Sequence, residues 1–347
     1  MRASLKPITL AAVAAALIGA PAAAATTYKV TDLGVLAGGS GSSARGGGAG
    51  YVAGWSSVSV GTRAFLWDGM SMHNLGTLGG TYSQANGGLY TAGAQTTVGW
   101  SFPSGGGVRH AVYWTGTAGP SDLGAPLYGS AEAFDTNGDR AVGYFTTSAG
   151  AMHAFSTSLD SMFTLPGDDL GTLGGSLAQA YGVDAAGNVV GTSTTPSNAR
   201  HGVFWSGGMT YDLTPWTTGA AFDIANVGGT TTIVGNATIG NATQAVRWVP
   251  NGVGGFTMTS LGAPAGGSSY AYGIDAAGTI VGTGKTSTGS AIGLLWPVGG
   301  AMTDINTLIS PPCRCTVTDL RGVDGGYLVG SARFGAQSHA ILLTANP

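Results

Sequence analysis

Beyond residue 25, apolar residues come in short runs separated by glycine, serine, threonine, asparagine and aspartate. Runs of that length, each ended by turn residues, predict β-strands rather than helices. The clearest run is a β-branched or small apolar pair closed by glycine. It occurs as Val52-Ala53-Gly54, Thr97-Val98-Gly99, Ala141-Val142-Gly143, Val189-Val190-Gly191, Ile233-Val234-Gly235, Ile280-Val281-Gly282 and Leu328-Val329-Gly330. The glycines are 45, 44, 48, 44, 47 and 48 residues apart, a regularity that marks an internal repeat.

A second strand follows each glycine and usually ends in tryptophan: Trp67, Trp114, Trp205, Trp248 and Trp296. The third and seventh copies end in Ser156 and Leu343 instead. The distance from glycine to the last strand residue is 13, 15, 13, 14, 13, 14 and 13, the constant loop of a hairpin. A third mark comes next: Asn74-Leu75-Gly76, Asp122-Leu123-Gly124, Asp169-Leu170-Gly171, Asp212-Leu213 and Leu261-Gly262. A fourth segment, rich in small residues, precedes each valine-glycine strand, as in Ala178-Gln179-Ala180-Tyr181-Gly182-Val183-Asp184 and Ala271-Tyr272-Gly273-Ile274-Asp275.

Four short strands in each of seven copies of about 46 residues is the arithmetic of an all-β, seven-bladed β-propeller. Residues 26–347 then form one repeat domain. The small-residue strand would lie innermost, and the tryptophan strand would fill the space between blades. Tyr28 to Gly34 matches the last strand of a blade, and His339 to Leu343 matches the strand before it. The N-terminal strand is therefore expected to complete the final blade and remove both exposed edges. A β-solenoid or a pair of β-sandwiches is the alternative.

The first residues read differently. Arg2 and Lys6 precede the apolar run Ile8 to Ala20, and small residues follow through Ala25, the pattern of a cleaved signal peptide over residues 1–25. Thirteen residues are too few for the roughly 20 that span a bilayer. A secreted or periplasmic destination is the expectation. Removing Arg2 and Lys6 from the 13 basic residues leaves 11 against 16 acidic ones, a net charge of −5. That balance, without a basic run, leaves no electrostatic footprint for nucleic acid.

Four of the five histidines, His110, His153, His201 and His339, hold equivalent repeat positions. In a ring they would be spread apart, which favours a structural hydrogen bond to a nearby loop over a shared metal. The recurring aspartates before leucine, Asp32, Asp122, Asp169 and Asp212, and those at hairpin turns, Asp184 and Asp275, are explained by side chains that bond their own turns. Asp135-Thr136-Asn137-Gly138-Asp139 has part of a calcium loop but lacks its closing glutamate. Gly278 to Thr286 has a phosphate-loop flavour with the wrong spacing and no helix pattern after it. Cys313 and Cys315, the only cysteines, read as a local structural disulfide in an oxidising compartment. No serine-hydrolase elbow or zinc-protease motif occurs, and Glu132 is the only glutamate. No catalytic, cofactor-binding or metal residue is assigned.

The literal His153-Ala154-Phe155, its variants at His110, His201 and His339, and the motifs Asp169 to Gly175 and Leu75 to Gly80 resemble the HAF-family extracellular repeats of bacteria. The first, fifth and sixth copies depart from the pattern, with Arg63, Gln244 and Ile292 near the histidine position. The resemblance spans nearly all of residues 26–347 and implies export and a propeller. It transfers no active site. The expected function is a non-enzymatic, monomeric scaffold binding an extracellular glycan, polymer or protein, without a cofactor. The alternative is a secreted polysaccharide-active enzyme, a glycosidase or lyase, which needs carboxylates or histidines from different repeats to converge at one mouth of a central channel.

Overall fold

In a computed structural model of the chain, residues 26–90, 93, 95–126, 129–161 and 167–347 are described; the expected signal peptide lies outside them. The chain is all-β, and its strands pair antiparallel four at a time in chain order. The second repeat is typical of the order: Gly79–Tyr90 pairs with Gln95–Pro103, that with His110–Thr115, and that with Ser121–Gly124. The first and second repeats are joined into one eight-stranded sheet by a single parallel pair, Thr62 with Tyr82. The last repeat borrows its fourth strand: Tyr28–Asp32 pairs with Gln337–Ala345, Tyr28 opposite Ala345 and Asp32 opposite Ile341. The one helix among the described residues is the single 3-10 turn Ile305–Leu308, so none is long and apolar enough to cross a membrane.

The small-residue strands are innermost and pack side by side in a cycle. Each touches the next along the chain, and Thr316–Asp324 touches Ser42–Gly48 to close the circuit. The arrangement is a β-propeller. The junction of last and first repeats uses the same hydrogen bonds as the first–second and fifth–sixth junctions. Ser42 Oγ accepts from Ala340 N and donates to the Gly34 carbonyl, as Ser83 does with Ala64 and Gly76, and Ser269 with Ala245 and Gly262.

The core lies between the sheets. Ala53, Leu66 and Leu75 of the first repeat meet Ala85, Val112 and Trp114 of the second, all buried. Tryptophan staples neighbours together, as its expected place between blades requires. The Nε1 of Trp114, Trp248 and Trp296 donates to the carbonyl of Leu75, Leu213 and Leu261 of the preceding repeat, at 2.9, 3.2 and 2.9 Å. Each such bond satisfies a donor that burial would otherwise strand. The buried Nε1 atoms of Trp67 and Trp205 have no hydrogen-bond partner among the described residues.

The recurring glycine has a specific cause. In every repeat the inner strand slips register by one residue opposite it, forming a β-bulge; Ala180 pairs with Gly191, and Gly182, not Tyr181, pairs next, with Val190. A Cβ on that glycine would fall on the carbonyl oxygen of the residue before its partner, Gln179 for Gly191 and Glu132 for Gly143. Only glycine lets the bulged backbone come so close.

Candidate functional site

The extra residue of each bulge is left out of the ladder, and its side chain turns into the central channel. Along the chain these residues are Arg45, Asn86, Phe134, Tyr181, Phe222, Tyr272 and Arg321, one per repeat, and together they line both halves of the channel. The inner strands are rich in small residues, yet at the bulge every repeat carries a large side chain, because a bulge directs the residue toward the open axis rather than into crowded packing.

Four consecutive members form an aromatic arc. Phe134 and Tyr181 have ring centroids 5.2 Å apart, Tyr181 and Phe222 5.4 Å, and Phe222 and Tyr272 4.9 Å, all tilted. Arg321 continues it, its guanidinium carbon 4.1 Å from the Tyr272 centroid. Arg45 is next to Arg321, and burial together with that neighbour's charge lowers its pKa. Its Nε is buried without a hydrogen-bond partner among the described residues. Asn86 completes the circuit, donating to Glu132 Oε1 at 3.0 Å and to the Ala133 carbonyl at 2.8 Å.

The residue after each bulge sets the spacing to the next strand. A Cβ at Gly182 would lie 3.0 Å from the Phe222 carbonyl, and one at Gly273 3.1 Å from that of Arg321. Five repeats have glycine here; two have aspartate, whose side chain reaches across. Asp135 Oδ2 accepts from Val183 N at 3.1 Å, and Asp223 Oδ2 from Ile274 N at 2.8 Å. Both carboxyls sit deep in the channel, in a cavity of 480 Å³. Desolvation pushes Asp135 up to about 8, with help from the charge of Asp223, and pushes Asp223 up to about 7.

On the other side of the belt, a cavity of 360 Å³ opens toward Gln84 and Glu132. Glu132 accepts from Arg109 at 2.9 Å and from the Tyr144 hydroxyl at 3.1 Å, while Arg109 also donates to Tyr144 at 2.7 Å. Burial raises the Glu132 pKa; Arg109, Asn86 and Tyr144 oppose the rise.

The residues singled out by the repeat lie elsewhere and hold the sheets. Each recurring histidine bonds the recurring aspartate of its own sheet through Nδ1: His110 with Asp122 at 2.9 Å, His153 with Asp169 at 2.8 Å, His201 with Asp212 at 2.7 Å, and His339 with Asp32 at 2.9 Å. The same aspartates accept from a backbone N–H two residues on, at Gly34, Gly124, Gly171 and Thr214. Copies without the histidine keep the turn with another acceptor: Asn74 Oδ1 takes Gly76 N, and Ser260 Oγ takes Gly262 N while donating to Gln244. Asp184 and Asp275 cap their hairpin turns. In the stretch Asp135 to Asp139, Asn137 bonds the turn's own backbone, while Asp135 belongs to the channel. Cys313 and Cys315 are joined in a disulfide, Cα atoms 5.2 Å apart, in the loop before Thr316–Asp324.

The channel residues escaped sequence reasoning because their types differ from copy to copy. The trace they leave is indirect: each sits on the strand opposite the recurring glycine, at the slip in register.

The chain matches no family model and no curated protein. Among solved structures it is similar to a puromycin-hydrolysing peptidase of Mycobacterium tuberculosis, with a TM-score of 0.57 and 11% identity. The match covers 84% of this chain and 48% of that one, so the chain spans about half the peptidase's length. At that identity the likeness concerns fold alone. Looser matches include the β-propeller domain of the Trilobed protease from Pyrococcus furiosus, at TM-score 0.46 and 8% identity over 76% of this chain and 82% of that one. Another is TolB from Acinetobacter baumannii, at 0.42 and 12% over 86% and 80%.

Proposed function

We propose that this chain is an exported, non-enzymatic binding scaffold, a seven-bladed propeller of the HAF-repeat type that takes its ligand in the central channel. One observation carries the reading: the side chains that the bulges direct to the axis form a belt of four aromatic rings and two arginines, completed by Asn86. Such a lining, apolar faces with a few convergent polar groups in a concave space, is what small-molecule sites are made of. The repeated histidines and aspartates, by contrast, are engaged in holding turns and strands. Seven blades closed by the N-terminal strand are supported by the circuit of inner-strand contacts and the shared serine bridge at the junction. Export, to the periplasm or beyond, is supported by the pattern of residues 1–25 and by a paired Cys313 and Cys315.

The test is a glycan and metabolite array probed with the purified protein and two variants. Phe222→Ala opens the aromatic arc, and Trp216→Ala removes the most exposed tryptophan, 72% accessible on the outer surface. Signals lost in Phe222→Ala and kept in Trp216→Ala support channel binding; the opposite pattern moves the site to the outer loops.

A second reading has its own observation. Asp135 and Asp223 come from different repeats and share one channel cavity, with pKa values raised toward neutrality as acid–base groups require. A polysaccharide-active enzyme built on that pair would lose turnover in Asp135→Asn and Asp223→Asn while keeping affinity for its substrate. Unchanged turnover in both variants removes this alternative.

A further inference from the structure

The arginine side of the belt specifies more than a generic ligand. Arg45 and Arg321 project from bulges that abut: a Cβ on Gly322 would lie 3.5 Å from Gly47 N and 3.7 Å from Gly46 Cα. Arg321 is committed on two sides, over the Tyr272 ring and to Asp319, Nε to Oδ1 at 3.3 Å. Arg45 has no such engagement. Its guanidinium makes no hydrogen bond to the described residues, and its Nε is buried. A guanidinium drawn out of water beside a like charge is costly unless an anion bridges the two.

The charges around the site favour an anion. On the Glu132 side of the belt, the guanidinium groups of Arg45, Arg321 and Arg109, with Arg200 acting on Tyr181, outnumber the carboxyl groups of Glu132 and Asp319. The balance is positive, and paired guanidinium groups suit a planar carboxylate. The same 360 Å³ cavity is lined by the rings of Phe222 and Tyr272 and by the amides of Gln84 and Asn86, Gln84 donating to Asn86 at 2.8 Å. Ring faces with amides beside them fit a compact ring that has apolar C–H faces and hydroxyls at its rim. The volume lies within the roughly 300–1,000 Å³ of small-ligand sites.

We infer that the channel binds an acidic sugar, a uronate alone or at the end of a glycan, with its carboxylate shared between Arg45 and Arg321 and its ring against Phe222 and Tyr272. Planar, bidentate recognition of carboxylate is what paired guanidinium groups do best. The inference rests on the channel being the ligand site, as proposed above.

The experiment is a titration of the 15N-labelled protein with D-glucuronate, D-glucose and acetate, read on the arginine Nε–Hε signals. Glucuronate is expected to shift two of those signals saturably, with glucose and acetate each at least tenfold weaker. Arg45→Gln and Arg321→Gln are each expected to weaken glucuronate at least tenfold, and Phe222→Ala to weaken it as well. Glucose binding as tightly as glucuronate, with both lost in Phe222→Ala, overturns the acidic-sugar inference and leaves the channel reading standing. Glucuronate binding that survives all three substitutions overturns both. No saturable shift with glucuronate on the wild-type protein, where folding is not in question, overturns the inference outright.

Discussion

Asp135 and Asp223 stand where five other repeats have glycine, and the exchange has a thermodynamic consequence. Each carboxyl makes a backbone hydrogen bond across to the next strand, yet the surrounding channel disfavours its charge. In the unfolded chain such a group loses its proton near pH 3.8; folded, Asp223 keeps it to about 7 and Asp135 to about 8. Between those limits the folded state holds more protons than the unfolded one, so stability falls as pH rises through that window. Asparagine keeps the acceptor oxygen and cannot ionise. The double variant Asp135→Asn, Asp223→Asn is therefore expected to melt like the wild type at pH 4 and above it at pH 8.5. Parallel melting profiles across that range would contradict the assignment. The histidine–aspartate pairs predict a different asymmetry. The partly exposed His153–Asp169 contact is worth about 1 kcal/mol or less. Asp169→Ala also loses the bond from Gly171 N, so it should cost about 1 kcal/mol more than His153→Ala in denaturant unfolding.

Two strands and the slip between them explain the repeat's most visible mark. The glycine that ends each valine-glycine pair is there because its neighbour bulges, and the bulge is what supplies the channel with a side chain. Replacing Gly191 by alanine drives a Cβ onto the Gln179 carbonyl, a backbone atom that cannot step aside. We expect a loss of about 2 kcal/mol or more, in the range of overpacked cores. Alanine at Gly119, which has open space around it, should stay within about 0.5 kcal/mol of wild type. Equal stabilities would remove the steric account of the repeat. The contrast also shows what the sequence makes legible. Strand types, their order and the borrowed N-terminal strand follow from recurring residues, because the backbone imposes the same requirement in each copy. The same holds for the structural use of His153 or Asp169. The channel belt follows no such rule. Arg45, Tyr181 and Phe222 share a backbone geometry and not a chemistry, so they stay hidden until the register of the strands is known.

The whole molecule depends on closure. Tyr28–Asp32 covers the free edge of Gln337–Ala345, and Ser42 ties the first inner strand to Ala340. A chain starting at Gly34 would lose that strand and expose an unpaired edge, which invites intermolecular pairing. It is expected to unfold at lower temperature and to aggregate, whereas unchanged melting would show that the ring does not need its N-terminal strand. Closure also creates the channel, since the belt exists only where all inner strands face one axis. The measurement that bears most directly on this account is a crystal structure of residues 26–347. The account predicts seven four-stranded sheets around one axis, with Arg45, Asn86, Phe134, Tyr181, Phe222, Tyr272 and Arg321 turned into the channel. An open array of sheets, or a closed ring in which these side chains point away from the axis, would contradict it.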